Sequence, residues 1–342
     1  MYKKNNTGSF RVTSLSPYRL NVLLALLTWC IWWLYTYPDS WSLIQCHWPV
    51  SVTMIFGSII AGATSEGGGA IAFPVFTKIL QIPASDAKIF SLAIQSVGML
   101  AASIAIVMMR VKVLWRVITW VSLGGILGML IGAFFLAPVL APTMIRVLFT
   151  VLAVSLALTL FFLNAGFRLS NAAMPEISLK EVSILPIVGV LGGTVSSLVG
   201  TGIDMVCFSV LVLLFRVCES VATPTSVILM AINSLMGVLL HLFVLGGINV
   251  QVQAYWLASV PVVVVGAPLG AYFCSRMHHL HIRYVLIALI FIELFSSLWI
   301  LDFDVPLIIF SVSLLILCSS LMIWMSKIKT YAENQGNGAL AK

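Results

Sequence analysis

The stretch SEGGGAIAFP, Ser65 to Pro74, decides how this chain is read. Three consecutive glycines beside a glutamate interrupt a run that is otherwise continuously apolar. Each glycine weakens a helix by about 1 kcal/mol relative to alanine, and a carboxylate at membrane depth is costlier still. A chain that keeps both has a use for a broken helix at this point.

The surroundings make the break unusual. The chain has 342 residues, 61% of them hydrophobic and 8% charged, and its mean hydropathy is +1.11. Soluble domains are about a quarter charged. Apolar runs recur almost to the end, and runs of about 18 or more residues read as spanning helices. They are continuous rather than alternating, which predicts an all-α polytopic membrane protein and not a barrel. The net charge of +7 belongs to short basic loops on one side of a membrane, not to nucleic-acid binding. Cys30, Cys46, Cys207, Cys218, Cys274 and Cys318 are scattered, with no disulfide framework and no metal-binding spacing.

Leu20–Tyr37 is the first apolar segment. It follows Lys3, Lys4, Arg11 and Arg19, and ends in Trp29, Trp32, Trp33, Tyr35 and Tyr37. That pattern is an aromatic interface belt on an uncleaved helix rather than a signal peptide. The tail after Lys327 is polar and expected to be disordered.

Loop charge then sets the topology. Pro38–Trp48, Ala137–Pro142, Gly246–Val252 and Asp302–Asp304 carry no Lys or Arg. Basic residues gather in Met1–Arg19, at Arg110, Lys112 and Arg116, at Arg168 and Lys180, at Arg276 and Arg283, and from Lys327 onward. The positive-inside rule puts the basic stretches in the cytoplasm and the bare loops outside. Two simple crossings between Trp48 and Arg110 would violate it. The conflict disappears if Pro49–Leu80 enters from outside, turns at the glycines and returns. Between Lys180 and Gly246, Val182–Phe215 would likewise enter from inside and turn at GTGID, Gly200 to Asp204. Lys78, Lys88 and Arg146 then lie outside. Eight full crossings and two re-entrant hairpins are expected, with both termini cytoplasmic.

The halves also overlay at an offset of 135. Gly57 matches Gly192, Gly67 matches Gly202, Phe73 matches Phe208, Ala87 matches Ala222 and Ser91 matches Ser226. IGAFF at Ile131–Phe135 matches LGAYF at Leu269–Phe273 with small gaps. The expected layout is two inverted repeats, each a broken helical hairpin followed by about three spanning helices, with one extra helix at each end. Residues 1–48 hold the cytoplasmic N-terminus and first helix, 49–165 repeat 1, 166–301 repeat 2, and 302–342 the last helix and cytoplasmic tail. Inverted repeats with discontinuous helices are characteristic of secondary transporters.

A polar turn at membrane depth is tolerated against protein or a water-filled cavity. Gly67, Gly68 and Gly69 permit positive φ and close approach of a ligand. Half-helices beginning near Ala70 and Ile203 would aim N–H groups and partial positive charge at the turns, which suits a small anion. Candidate substrate contacts are therefore Ser65, Glu66, Gly67, Gly68 and Gly69 with Gly200, Thr201, Gly202 and Asp204. Gln95 and Ser96, with Thr225, Ser226 and Asn233, lie in the helices that follow, and Asn233 and Gln95 are the costlier of these to bury. Gly124, Gly125, Gly128 and Gly132 read as close-packing residues. On this basis Gly68→Val should abolish flux, and Gly128→Ala should be mild.

The Ser-Glu-Gly-Gly-Gly stretch followed by Pro74, with a degenerate copy half a chain later, resembles the TauE/SafE sulfite exporter family. The likeness in layout covers nearly the whole chain, and the specific motifs are the two turns. It implies export of sulfite or a small organosulfonate such as sulfoacetate across the bacterial inner membrane by alternating access. This sequence departs from the family's G-x-G-G-G at both turns. Ser65 replaces the first glycine of repeat 1, and repeat 2 reads Gly200-Thr201-Gly202-Ile203-Asp204 with Ser209 where the proline would be.

Other readings are an anion channel, and an intramembrane hydrolase with Ser65 as nucleophile. The hydrolase lacks a strand-to-helix elbow and a placed histidine base. No catalytic residue, metal or cofactor is expected. The partners implied are a small anion and membrane lipid, with a homodimer allowed rather than required, and no nucleic acid. Glu66 raises its own question, because an ionised carboxylate would compete with an anion for the same field. A glutamate that takes up a proton before the anion binds would couple the two. Glu293 lies inside a spanning run, and either a subunit contact or a protonated core group would account for it.

Overall fold

The computed structural model describes residues 17–68, 75–163, 183–300 and 304–327. Gly69 and the half-helix expected to begin near Ala70, the basic residues Lys3, Lys4, Arg11, Arg168 and Lys180, and the polar tail after Lys327 lie outside them. Among the described residues every regular element is helical. In chain order they are α1 (Pro17–Thr36), α2 (Ser40–Cys46), α3 (Trp48–Ala63), α4 (Ala84–Met108), α5 (Trp115–Ile131) and α6 (Pro142–Leu163). Then follow α7 (Ile184–Val199), α8 (Ile203–Ser209), α9 (Glu219–Phe243), α10 (Val250–Arg276), α11 (His279–Ile300) and α12 (Val305–Lys327). Single π-helical turns occupy Val75–Ile79, Gly132–Leu136 and Val210–Leu214.

Among the described residues, seven helices are long and apolar enough to cross a membrane: α1, α4, α5 with its π turn, α6, α9, α10 and α12. The chain is a polytopic all-α membrane protein. Tyr284–Trp299 within α11 is a shorter apolar stretch, as are Ile184–Val199 and Ile203–Leu214, and an eighth span is reached if α2 and α3 together count as one bent span. One loop differs from expectation. Pro38–Trp48 reads as a bare connection, yet it contains α2, which meets α3 at a bend of 82°. Ser42 Oγ donates to the Asp39 carbonyl at 2.9 Å and closes the first turn of α2.

The offset of 135 seen in the sequence reappears in the backbone. α4 and α9 are each 25 residues long and begin 135 residues apart, at Ala84 and Glu219. The π turns Val75–Ile79 and Val210–Leu214 are spaced alike. Gln81 and Arg216, non-glycine residues also at that spacing, both have φ of 54°. The hydrogen bond from Ile82 N to the Phe76 carbonyl, 2.8 Å, has its counterpart from Val217 N to the Leu211 carbonyl, 2.9 Å. Packing crosses between the halves in a matched way: α3 lies against α10, α7 against α5, and α4 against α9.

The α5–α7 contact is backbone to backbone. A Cβ on Gly128 would run into the Val190 carbonyl, and Thr194 Oγ1 donates to the Gly128 carbonyl at 3.0 Å. Close packing at Gly128 is as expected, but the expectation that alanine there is mild is corrected. Helices this close leave no room for a methyl group.

α1 sits at the edge, held on α10 by two indoles. Trp32 Nε1 donates to the Leu257 carbonyl at 2.7 Å, and Trp29 Nε1 to the Pro261 carbonyl at 2.9 Å. Pro261 lies inside α10 and has no N–H to give the carbonyl four residues back. That carbonyl belongs to Leu257, so Trp32 supplies the bond the proline omits. These two tryptophans, expected from the sequence as belt residues, dock α1 on α10.

Between α6, α7, α8 and α12 lies a cavity of about 990 Å³, lined by apolar side chains such as Leu152, Leu191, Met205, Phe310 and Trp324. Such a lining suits hydrocarbon, and the hydroxyls of Thr194 and Ser209 that also line it are bonded to backbone carbonyls.

Candidate functional site

Both turns double back on the helix that precedes them. In the second, Ile203 N donates to Ser196 Oγ at 2.9 Å. A Cβ on Gly192 would come within 2.8 Å of the Ile203 Cα, which brings the start of α8 alongside α7. In the first, the Gly68 carbonyl lies 3.9 Å from the position a Gly57 Cβ would take. Gly57 and Gly192 are the pair matched in the sequence, and Gly68 and Ile203 stand at the same offset.

The turns then meet each other. Thr201 Oγ1 lies 3.3 Å from the Glu66 carbonyl and 3.4 Å from Asp204 Oδ1, with one proton to donate. Gly67, at φ of 67°, is the closest point. A Cβ there would fall 2.7 Å from Asp204 Oδ2, 2.8 Å from Gln95 Oε1 and 2.8 Å from Thr201 Oγ1. Both the positive φ and the crowding require glycine at this position. Gly68, by contrast, has ordinary φ, and a Cβ would meet Ala61 Cβ at 3.5 Å. The stringent glycine is therefore Gly67, not Gly68. Gly69 lies outside the described residues.

α4 reaches across to the second turn. Gln95 Nε2 donates to the Gly200 carbonyl at 2.9 Å and to Ser91 Oγ at 2.8 Å, and Ser91 Oγ lies 3.2 Å from the same carbonyl. With its NH₂ engaged there, Gln95 presents Oε1 to Gly67. Sequence reasoning missed Ser91. The signal was available in its match to Ser226 and its one-turn spacing from Gln95.

The N–H groups at the start of α8 are not open, as the anion argument expects, but already hold partners. Gly202 N and Met205 N each donate to Asp204 Oδ1 at 3.0 Å, and Ile203 N is held by Ser196. Asp204 Oδ1 thus satisfies two of the N–H groups at the start of its own helix.

Several polar atoms here are fully buried without a hydrogen-bond partner among the described residues: Ser65 Oγ, Glu66 Oε1, Gln95 Oε1 and Asn233 Nδ2. Buried polar groups are ordinarily satisfied, and an orphan costs about 1–3 kcal/mol. Asn233 approaches from α9, and its Oδ1 would lie 3.1 Å from a Cβ on Gly125, next to the Ile203 side chain. The remaining candidates stand apart from the cluster. Ser96 donates to the Ala93 carbonyl and Ser226 to the Thr223 carbonyl, each within its own helix. Thr225 Oγ1 accepts from Leu114 N at 3.1 Å and braces the segment leading into α5. A cavity of about 10 Å³ touches Gly68 and Gln95, room for roughly one water. The turns are closed on each other.

No curated protein and no solved structure matches the chain. The family model described as sulfite exporter TauE/SafE matches residues 50–296, a span running from early α3 into α11 and enclosing both turns. With most of its length so matched, the chain belongs to the TauE/SafE family of membrane transporters.

Proposed function

We propose that the chain is a secondary carrier that exports a small anion, sulfite or a small organosulfonate such as sulfoacetate, across the inner membrane, with both termini cytoplasmic. The observation that carries this reading is the meeting of the two turns at Thr201 and Glu66, ringed by unpartnered buried polar atoms. Family membership supports the substrate class. The two units would be inverted repeats with boundaries near 49–165 and 166–301, so that opening one side closes the other.

In this account the observed arrangement is an occluded one, with the two turns closed on each other. Asp204 Oδ1 holds the Gly202 and Met205 N–H groups as a substrate oxygen would. An entering anion would displace it and gain the hydroxyl of Ser65 and the amide of Asn233 as further donors. Gln95 and Thr201 would hold the second turn in place while this happens. Protonation of Glu66 would remove its competing charge when the anion binds. A carrier is favoured over an enzyme because the family that the chain belongs to is one of membrane transporters.

The test is flux in proteoliposomes across sulfite, sulfoacetate, taurine and sulfate. Saturable uptake with counterflow of one of the first two is expected. Single-channel currents without counterflow would replace the carrier by a pore, and no flux of any of the four would overturn the reading.

A further inference from the structure

Asp204, Gln95 and Thr201 each send an oxygen to the same side of Gly67. A Cβ on Gly67 would fall 2.7 Å from Asp204 Oδ2 and 2.8 Å from both Gln95 Oε1 and Thr201 Oγ1. Three atoms this close to one point are no more than about twice that distance apart. That is near the spacing of oxygens around one hard cation, each about 2.3–2.6 Å from it. With glycine there, no side chain fills the space between them.

The supply of hydrogen-bond donors at this place falls short. Gln95 commits its NH₂ to Ser91 Oγ and to the carbonyls of Ser91 and Gly200. Turning the amide over would set Oε1 against those two carbonyls, so the network fixes Oε1 toward Gly67. Gln95 is 3% exposed, and its Oε1 has no hydrogen-bond partner among the described residues. Asp204 Oδ1 takes the Gly202 and Met205 N–H groups, which leaves Oδ2 the Thr201 hydroxyl at 3.5 Å. That hydroxyl has one proton, and the Glu66 carbonyl and Asp204 Oδ1 both lie nearer to it. Among the described residues, three buried oxygens thus converge with at most one proton between them.

A proton on Oδ2 would join one pair of these oxygens, whereas a cation serves all three. The set is one carboxylate, one amide and one hydroxyl, and oxygen ligands select hard ions over transition metals. A single carboxylate balances a single positive charge. The cavity of about 10 Å³ beside Gly68 and Gln95 leaves room for an ion no larger than a water.

We propose that Asp204 Oδ2, Gln95 Oε1 and Thr201 Oγ1 bind one sodium ion beside Gly67, and that this ion binds together with the anion. The coupling rests on the carrier reading; the site does not. An anion that displaces Asp204 Oδ1 from the Gly202 and Met205 N–H groups strips the carboxylate of two partners. The cation replaces them and offsets the carboxylate's charge beside the substrate.

Binding of radioactive sodium to the full chain in nanodiscs tests the site without any transport. One saturable site per chain is expected, with potassium competing at least about tenfold more weakly. Asp204→Asn keeps an oxygen for the two N–H groups but turns an NH₂ toward Gly67, and should lose sodium binding. Thr201→Val should weaken it by at least about tenfold, and carries the test should Asp204→Asn fail to fold. No saturable binding by the wild-type chain, or wild-type binding in either variant, would overturn the site. Those oxygens would then be served by a proton or by the weak Cα–H contact of Gly67. Potassium competing equally would overturn sodium as the occupant.

Calorimetry on the same preparations tests the coupling. Sodium in place of choline should raise anion affinity about tenfold, and the anion should raise sodium affinity by the same factor. No change in either ends the coupling. Anion counterflow without sodium binding ends this inference and leaves the carrier standing, whereas sodium binding without flux supports the site and ends the carrier.

Discussion

Thr201 donates to the backbone carbonyl of Glu66 at 3.3 Å, and the two residues hold the same place in the two units, 135 positions apart. On the proposed repeat reading, this contact lies where the two units meet. A ligand bound there is shared by both units, and a movement of either changes its surroundings.

Gly67→Ala should abolish flux while the protein still inserts. Its Cβ would fall 2.7 Å from Asp204 Oδ2 at a φ of 67°. Gly246→Ala is the control: φ there is 92°, but nothing lies within 4 Å. Both pay the positive-φ penalty of about 1–2 kcal/mol, so a flux loss confined to Gly67 measures the crowding of the turns. Equal flux in both variants would remove Gly67 from the site.

Gly128→Ala should lower thermal stability by about 1–3 kcal/mol, because the methyl group forces α5 off the Val190 carbonyl. Gly68→Ala, with only ordinary contacts to meet, should melt close to wild type. Melting curves in detergent distinguish them, and the reverse order would contradict the packing described.

Trp32→Phe should cost about 1–3 kcal/mol by orphaning the Leu257 carbonyl. Pro261→Ala restores an N–H within α10, so the double variant should lose less than the sum of the two single changes. Additive losses would mean that the indole and the proline do not share that carbonyl.

The helix breaks after Ala63 and Val199 were legible because glycine placement is a local property of the chain. The offset of 135 was legible too, since Gly67 and Gly202, or Ser91 and Ser226, can be matched by eye. What could not be read depends on distances between segments. Gly68 and Gly128 look alike in sequence, yet one faces Ala61 Cβ and the other a carbonyl. Asp204 reads as a free acid three places past the equivalent of Glu66, and only the fold shows its Oδ1 taking two N–H groups. Trp32 shows a belt position, and its proline-freed acceptor is 225 residues away.

If Glu66 must be protonated for the anion to bind, wild-type affinity should weaken as rising pH ionises it, and Glu66→Gln should bind with little pH dependence. Calorimetric titrations at several pH values check this. A wild-type pH profile in Glu66→Gln would make the carboxylate a brace for the turn.

The central claim is that the two turns form one anion site. Ser65→Ala, in the first turn, removes a buried hydroxyl that has no partner. Thr201→Val, in the second, is close in shape and loses the bond to Glu66. The decisive measurement is the affinity of each purified variant for the anion that the liposome assay selects. Both should bind at least about tenfold more weakly, roughly 1.4 kcal/mol, while melting near the wild-type temperature. Wild-type affinity in both variants would contradict the account.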